Sequence, residues 1–182
     1  MSNKESKIKQ LIQDYLLEEG LLRGKIPDPK LDFGFQFVFP PGKDPFGRQI
    51  GRNMVVFRPN NKNLLVVSLG IQISEPHTNA LNSLENERKF NYFMDLRKSF
   101  LLKDVFYRID IKNYRYEIID QTFLNKDGFI SKNSFFKSIR KVFNCAAYSN
   151  IILGEYCAGK IKPEDFMKSK EFTSSSDFSL YS

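Results

Sequence analysis

Apolar positions recur along this chain with two periods that alternate from segment to segment. Ile8, Leu11, Ile12, Tyr15 and Leu16 are spaced by three and four, which places them on one stripe of a helix. Gly20, Gly24 and Pro27-Asp28-Pro29 end that helix and lead into an extended segment. There Phe33, Phe35, Phe37 and Phe39 alternate with Asp32, Gly34, Gln36 and Val38. Period two sends the four rings to one face, so the segment is a half-buried strand.

Pro40-Pro41-Gly42 stops the strand, because proline has no N–H for a ladder. A polar loop reaches to about Gly51, Met54 to Phe57 reads as a second strand, and Pro59-Asn60-Asn61 marks a turn. Leu64 to Ile73 is a third strand with Leu65, Val67, Leu69, Ile71 and Ile73 on one face. Its other face passes from Leu64 and Val66 to Ser68, Gly70 and Gln72, the pattern of a central strand covered fully at one end only. Pro76 and His77 open an irregular stretch. A second helix follows over roughly 83–102, with Phe90, Phe93, Met94, Leu96, Phe100 and Leu101 on its apolar face. Val105 to Ile111 and Tyr114 to Leu124 read as two strands joined tightly at Lys112-Asn113. After a turn at 125–128, Ser131 is the N-cap of a long third helix carrying Phe135, Ile139, Val142, Phe143, Ala146, Ala147 and Leu153 on one face.

The core pattern fades beyond Gly159. Residues 1–159 therefore read as one α+β domain in the order helix–three strands–helix–two strands–helix, with a mostly antiparallel five-stranded sheet packed against helices. Residues 160–182 read as a C-terminal extension. Pro163 with Glu164 and Asp165 suits a short helix start, and the serine-rich end from Thr173 suits a largely disordered tail.

Composition narrows the function. The 182 residues suffice for a core without disulfides or metals. No apolar run spans a membrane and the first nine residues are too polar for a signal peptide, so the expectation is a soluble cytoplasmic protein. The single histidine, His77, excludes sites that need two imidazoles, and no neighbour in sequence pairs with it as a nucleophile. Cys145 and Cys157 lie twelve apart on the third helix and match neither a CxxC redox pair nor a zinc motif. The stretch Asn125 to Ser131 imitates part of a calcium loop around Gly128. Its first and twelfth positions are Phe123 and Ser134, where acidic ligands are needed. Gly42, Gly47 and Gly51 form no phosphate-binding motif. Asp110, Glu117 and Asp120 alternate with Arg108 and Arg115 on adjacent strands, which cross-strand ion pairing explains. The chain is thus not expected to be an enzyme. No residue takes a catalytic, cofactor-binding or metal-ligating role, no cofactor is implied, and the binding residues stay unassigned.

The formal net charge of +7 raises nucleic-acid binding, although residues 1–60, 61–125 and 126–182 carry +3, +1 and +3 and none concentrates it. Lys132, Lys137, Arg140 and Lys141 share the polar side of the third helix, and Lys43, Phe46, Arg48 and Arg52 lie in the 40–52 loop. These two elements form the alternative reading, a basic nucleic-acid-associated protein.

The opening helix from Ile8 to Leu16, the Phe33 to Phe39 strand, the Leu64 to Ile73 strand and the Tyr107 to Tyr116 hairpin feeding the last helix resemble the type III secretion chaperones and their YbjN-like relatives. The same stretches are similar to a small archaeal family of unknown function with that chaperone-like fold. The resemblance covers about residues 4–157. It implies a non-enzymatic domain that dimerises and holds extended partner segments. Secretion chaperones are usually acidic, so the +7 chain would suit acidic or apolar segments instead. The leading expectation is a protein-binding or chaperone-like homodimer that uses the second face of its sheet, lined by Asp32, Gly34, Gln36, Ser68, Gly70, Gln72 and Arg108. Its partners are another protein or a second copy, with no membrane involved.

Overall fold

The computed structural model describes residues 2–160 except 44, 48 and 49. The Pro163 helix and the serine-rich tail expected from sequence lie outside the described residues, as does Arg48. Ten elements follow one another: α1 (Ser2–Glu18), β1 (Leu22–Lys25), β2 (Leu31–Phe39), β3 (Arg52–Pro59), β4 (Leu64–Gln72), α2 (Glu75–Asn82), α3 (Asn86–Leu102), β5 (Phe106–Asp110), β6 (Arg115–Phe123) and α4 (Lys132–Cys157). The strands form one sheet in the order β1-β2-β3-β4-β6-β5, every neighbouring pair antiparallel. The α+β class stands, with six strands in place of five and four helices in place of three.

Each departure has a local cause. β1 is a four-residue edge strand, Leu-Arg-Gly-Lys, too short and polar to show period two. The helix expected over roughly 83–102 is α3, and the stretch before it, expected to be irregular, folds as a further helix, α2. Pro76, read as part of an irregular stretch, instead enters the first turn of α2, where its fixed φ suits the helix and its missing N–H is not needed. The N-cap assignment of Ser131 holds, its hydroxyl accepting from Ser134 N at 3.1 Å.

The core lies between one face of the sheet and a layer of helices. Phe33, Phe35 and Phe37 are buried there with Met54, Val56, Leu65, Val67, Leu69, Ile71, Tyr116 and Ile118. Ile8, Ile12 and Leu16 of α1 and Phe135, Ile139 and Val142 of α4 close over them. Helix α1 sits on β1 and β2, α4 crosses β4 and β6, and α3 packs beside α4 and over β5. Phe39 ends its strand with its ring edge-on to Phe143 at 5.4 Å. One expectation fails on α3: Phe90 and Leu101, assigned to its apolar face, are exposed, and Met94 is only half-buried. Phe93, Leu96 and Phe100 face the core as expected, joined by Tyr92 and Ser99. Ala147 of α4 is likewise exposed.

Candidate functional site

Period two, with five antiparallel registers, fixes what the other face of the sheet presents. Taken from β2 to β5, Val38, Asn53, Gly70, Glu117 and Arg108 fall on one row, and Gln36, Val55, Ser68, Ile119 and Phe106 on the next. Gly34, Phe57, Val66 and Gln121 make a third row, and Leu64 with Phe123 closes the face. Val55, Phe57, Leu64, Val66 and Ile119 form a second buried apolar cluster, with Ile26 and Leu31 packed against it and no described helix residue among its members.

This face carries the residues proposed from sequence, but in a different state. Gly34, Gln36, Ser68, Gly70, Gln72 and Arg108 all lie on it, and Asp32 sits at the bulge between Leu31 and Phe33, bridged to Arg58 at 3.0 Å. Gly34, Ser68 and Gly70 are buried, so they are not a flat polar surface waiting for a close approach. A Cβ at Gly34 would stand 3.0 Å from the Cβ of Ile26, which already fills the space the glycine opens. β4 is buried on both faces along most of its length, where the sequence pattern implied full cover at one end only.

What the single-sequence reading missed is the apolar strip and its margin. The continuous run Met54 to Phe57 was the available signal, since a strand buried on both faces shows no alternation. At the margin Phe123 is 74% exposed at the end of β6 and Phe106 is exposed at the start of β5. β5 pairs with β6 only as far as Ile119, so β6 runs on from Asp120 to Phe123 with no described strand on its outer side.

Several polar groups of this face pair with one another across the sheet. Ser68 Oγ donates to Glu117 Oε1 at 2.5 Å across the β4–β6 ladder, and Arg108 stands opposite Glu117 on β5. Arg115 Nε donates to Asp110 Oδ2 at 3.0 Å, the cross-strand pair expected from sequence. Asn113, through its side-chain amide, and Arg115 hold the Asp110 carboxyl below the usual carboxylate range.

The basic constellation comes apart in three dimensions. Lys132 bridges Glu18 at 2.9 Å and Glu19 at 2.6 Å, tying α4 to the end of α1. Lys141 bridges Asp120 at 2.9 Å and Asp104 at 3.3 Å, so Asp120 serves the helix side of the sheet. Arg140 lines a 360 Å³ cleft with Glu19, Phe39, Pro41, Lys132 and Phe136, which brings the start of the 40–52 loop beside α4. That cleft mixes an acid and rings with its cations.

His77 has a hydroxyl neighbour that the sequence reading did not single out. Ser74 Oγ and His77 Nδ1 are 2.7 Å apart, both residues buried. The cause is the start of α2 at Glu75: Ser74 becomes the N-cap and His77 the third helical residue, the spacing of a capping box. Ser74 also borders a 460 Å³ cleft between α2 and the β5–β6 turn, with Lys112 and Tyr114 on its far side. Cys145 and Cys157 are buried free thiols, and burial pushes Cys157 up to about 11. In the turn after β6, Asn125 Oδ1 accepts from the amides of Asp127 and Phe129. Gly128 takes φ +72° there. Among the described residues no three His, Cys, Asp or Glu side chains gather as metal ligands, and no described helix is long and apolar enough to cross a membrane.

Comparison with known proteins agrees with this picture at the level of fold. A crystal structure of an uncharacterized protein from Methanothermobacter thermautotrophicus is similar to this chain with a TM-score of 0.70 and 20% identity, over 81% of this chain and 97% of that one. No curated protein matches. The family model described as "Uncharacterized conserved protein (DUF2299)" matches residues 8–153, from α1 through most of α4, and the chain belongs to that family of uncharacterised proteins.

Proposed function

We propose that this chain is a non-enzymatic, chaperone-like protein-binding module of the cytoplasm. In this reading it is a homodimer that holds an extended segment of a partner protein on the helix-free side of its sheet. The observation that carries the reading is the interval of β6 beyond β5. Four residues of strand, Asp120 to Phe123, run with no described strand alongside, and the exposed rings of Phe106 and Phe123 bracket them on one face. A segment entering in line with β5 gains main-chain hydrogen bonds from β6, and its alternate side chains meet the two rings. The partner chemistry is therefore an extended stretch with apolar residues at every second position. Two buried free thiols suit a reducing compartment.

Labelled eight-residue peptides of alternating leucine and aspartate, and peptides of the same composition with the alternation broken, separate this reading from plain stickiness. Fluorescence anisotropy should show binding of the alternating set, lost in Phe123→Lys. Equal binding of both sets, or none, counts against it. The nucleic-acid alternative draws less support, because Lys132 and Lys141 are engaged by carboxylates. Steeply salt-dependent binding of a labelled oligonucleotide, weakened in a Lys137→Gln, Arg140→Gln chain, would revive it.

A further inference from the structure

The end of β6 keeps a row of main-chain groups turned outward. Leu124 N donates to Asn63 O at 3.1 Å, on the β4 side. Main-chain groups of successive strand residues point to opposite sides, so those of Thr122 and Asp120 face β4 as well. The N–H and C=O groups of Gln121 and Phe123 therefore face the other way. No described strand lies there, because β5 begins at Phe106, opposite Ile119. The side chains of Gln121 and Phe123 share the helix-free face with Phe106, and both rings are exposed. The chain also carries a segment that matches this edge. Beyond Lys160, Phe178 and Leu180 are the one pair of large apolar residues spaced by two, set among Asp177, Ser179 and Tyr181 with no proline or glycine. Helix α4 carries the chain about 39 Å from this end of β6, 26 residues at 1.5 Å each. It leads to Lys160, whose Nζ donates to Ser83 O at 3.3 Å. The eighteen steps from Lys160 to Phe178 span up to about 60 Å when extended, enough to return.

We infer that residues 177–181 of the same chain occupy this edge, antiparallel to β6 and in line with β5, in competition with a partner segment. The inference rests on the reading of this edge as the partner-holding site and names the occupant that a partner must displace. One register suits it. With Phe178 opposite Phe123 and Leu180 opposite Gln121, both pairs exchange two N–H···O bonds, four in all. Phe178 then lies beside the Phe123 ring, and Leu180 lies between Phe178 and Phe106 on the helix-free face. Moving the segment two residues toward β5 drives Leu180 into the place of Phe106, which already pairs with Ile119. Moving it two residues the other way carries Phe178 past the end of β6, opposite Asn125. A shift of one residue turns both apolar side chains to the helix side. A tether of 17 residues holds the segment near the edge at an effective concentration of about a millimolar. Occupancy by a partner then depends on how far its own concentration and affinity exceed that competition.

The experiment uses the full chain and the labelled alternating peptides described above. The double variant Phe178→Ser, Leu180→Ser leaves the net charge and every residue of the sheet unchanged. It should bind the alternating peptide about tenfold or more tightly than the parent chain does. Hydrogen exchange followed by NMR at the Gln121 and Phe123 amides should be slow in the parent and about tenfold or more faster in the variant. Gln121→Cys with Leu180→Cys should cross-link within one chain on mild oxidation. Facing residues of a hydrogen-bonded antiparallel pair lie about 5.5 Å apart between Cα atoms, within disulfide reach. Equal affinity and equal exchange in parent and variant overturn the inference and leave the partner-holding edge intact. A cross-link formed only between chains overturns occupancy by the chain's own segment. Peptide bound by neither chain overturns the partner-holding reading, and exchange at Gln121 and Phe123 then decides the occupant by itself: slowed in the parent alone it supports the inference, equal in both it overturns it.

Discussion

Lys141→Met tests whether the α4 cation that bridges Asp120 and Asp104 is structural. In the folded chain Lys141 Nζ lies 2.9 Å from Asp120 Oδ1 and 3.3 Å from Asp104 Oδ2. The side chains differ in burial: Asp120 is 12% exposed, Lys141 30% and Asp104 fully exposed. The Asp104 arm is therefore screened by water, and the Asp120 arm decides the outcome. Removing one partner of a buried pair costs about 3–5 kcal/mol, because the remaining charge is stranded. With Lys141 a third open to solvent, about 2 kcal/mol is the reasonable figure. For a domain of this size that lowers Tm by about 4–8 °C. Urea denaturation should show a lower midpoint at unchanged m. Methionine keeps most of the aliphatic stem, and the double variant Lys141→Met, Asp120→Asn should recover much of the loss. The pH dependence has a definite sign. Burial works against the Lys141 ammonium, but Asp120 and then Asp104 outweigh it, so the group titrates above the usual lysine value. Its contribution is complete below about 10.4 and is lost as pH rises through the folded value. Lys141→Met should flatten that alkaline loss. A change below about 0.5 kcal/mol, no larger than for an ordinary surface substitution, would refute the reasoning.

Phe35→Ala removes a fully buried ring from β2 and should cost about 3–5 kcal/mol in urea denaturation. Ser131→Ala leaves the Ser134 amide without its cap and should cost about 1 kcal/mol by the same assay. Among the described residues two carboxyls sit below the usual range: Asp95, through Tyr156 and then Lys98, and Asp110, through Asn113 and then Arg115. Both contribute stability that is present above the unfolded carboxylate value and lost as pH falls through the folded ones. Acid titration of Asp110→Asn should therefore show a shallower loss than the parent chain.

Much of the architecture is local and so was readable in one dimension. Ile8 to Leu16 repeat at helical spacing, Phe33 to Phe39 alternate, and Ser131 caps α4, because propensity, period and capping act within a few residues. The parts that went astray depend on neighbours far along the chain. Phe90 and Leu101 have the residue type of a core, yet the packing of α3 beside α4 and over β5 turned them outward. β1 exists because β2 gives it a partner, since its own four residues carry no strand signal. Lys132, Lys137, Arg140 and Lys141 read as one basic face. Glu18, Glu19, Asp104 and Asp120, brought in by folding, claimed two of the four.

The candidate surface divides the same way. Alternation in β2 and β4 was enough to name Gly34, Gln36, Ser68, Gly70 and Gln72 as sharing a face, because successive strand residues point oppositely whatever surrounds them. Strand order, register and where each strand stops decided the rest. They placed Arg108 opposite Glu117, joined Val55, Phe57, Val66 and Ile119 into one strip, and left β6 running past β5 between two exposed phenylalanines. Periodicity is a property of consecutive residues, whereas register and strand ends arise only when segments distant in the chain meet.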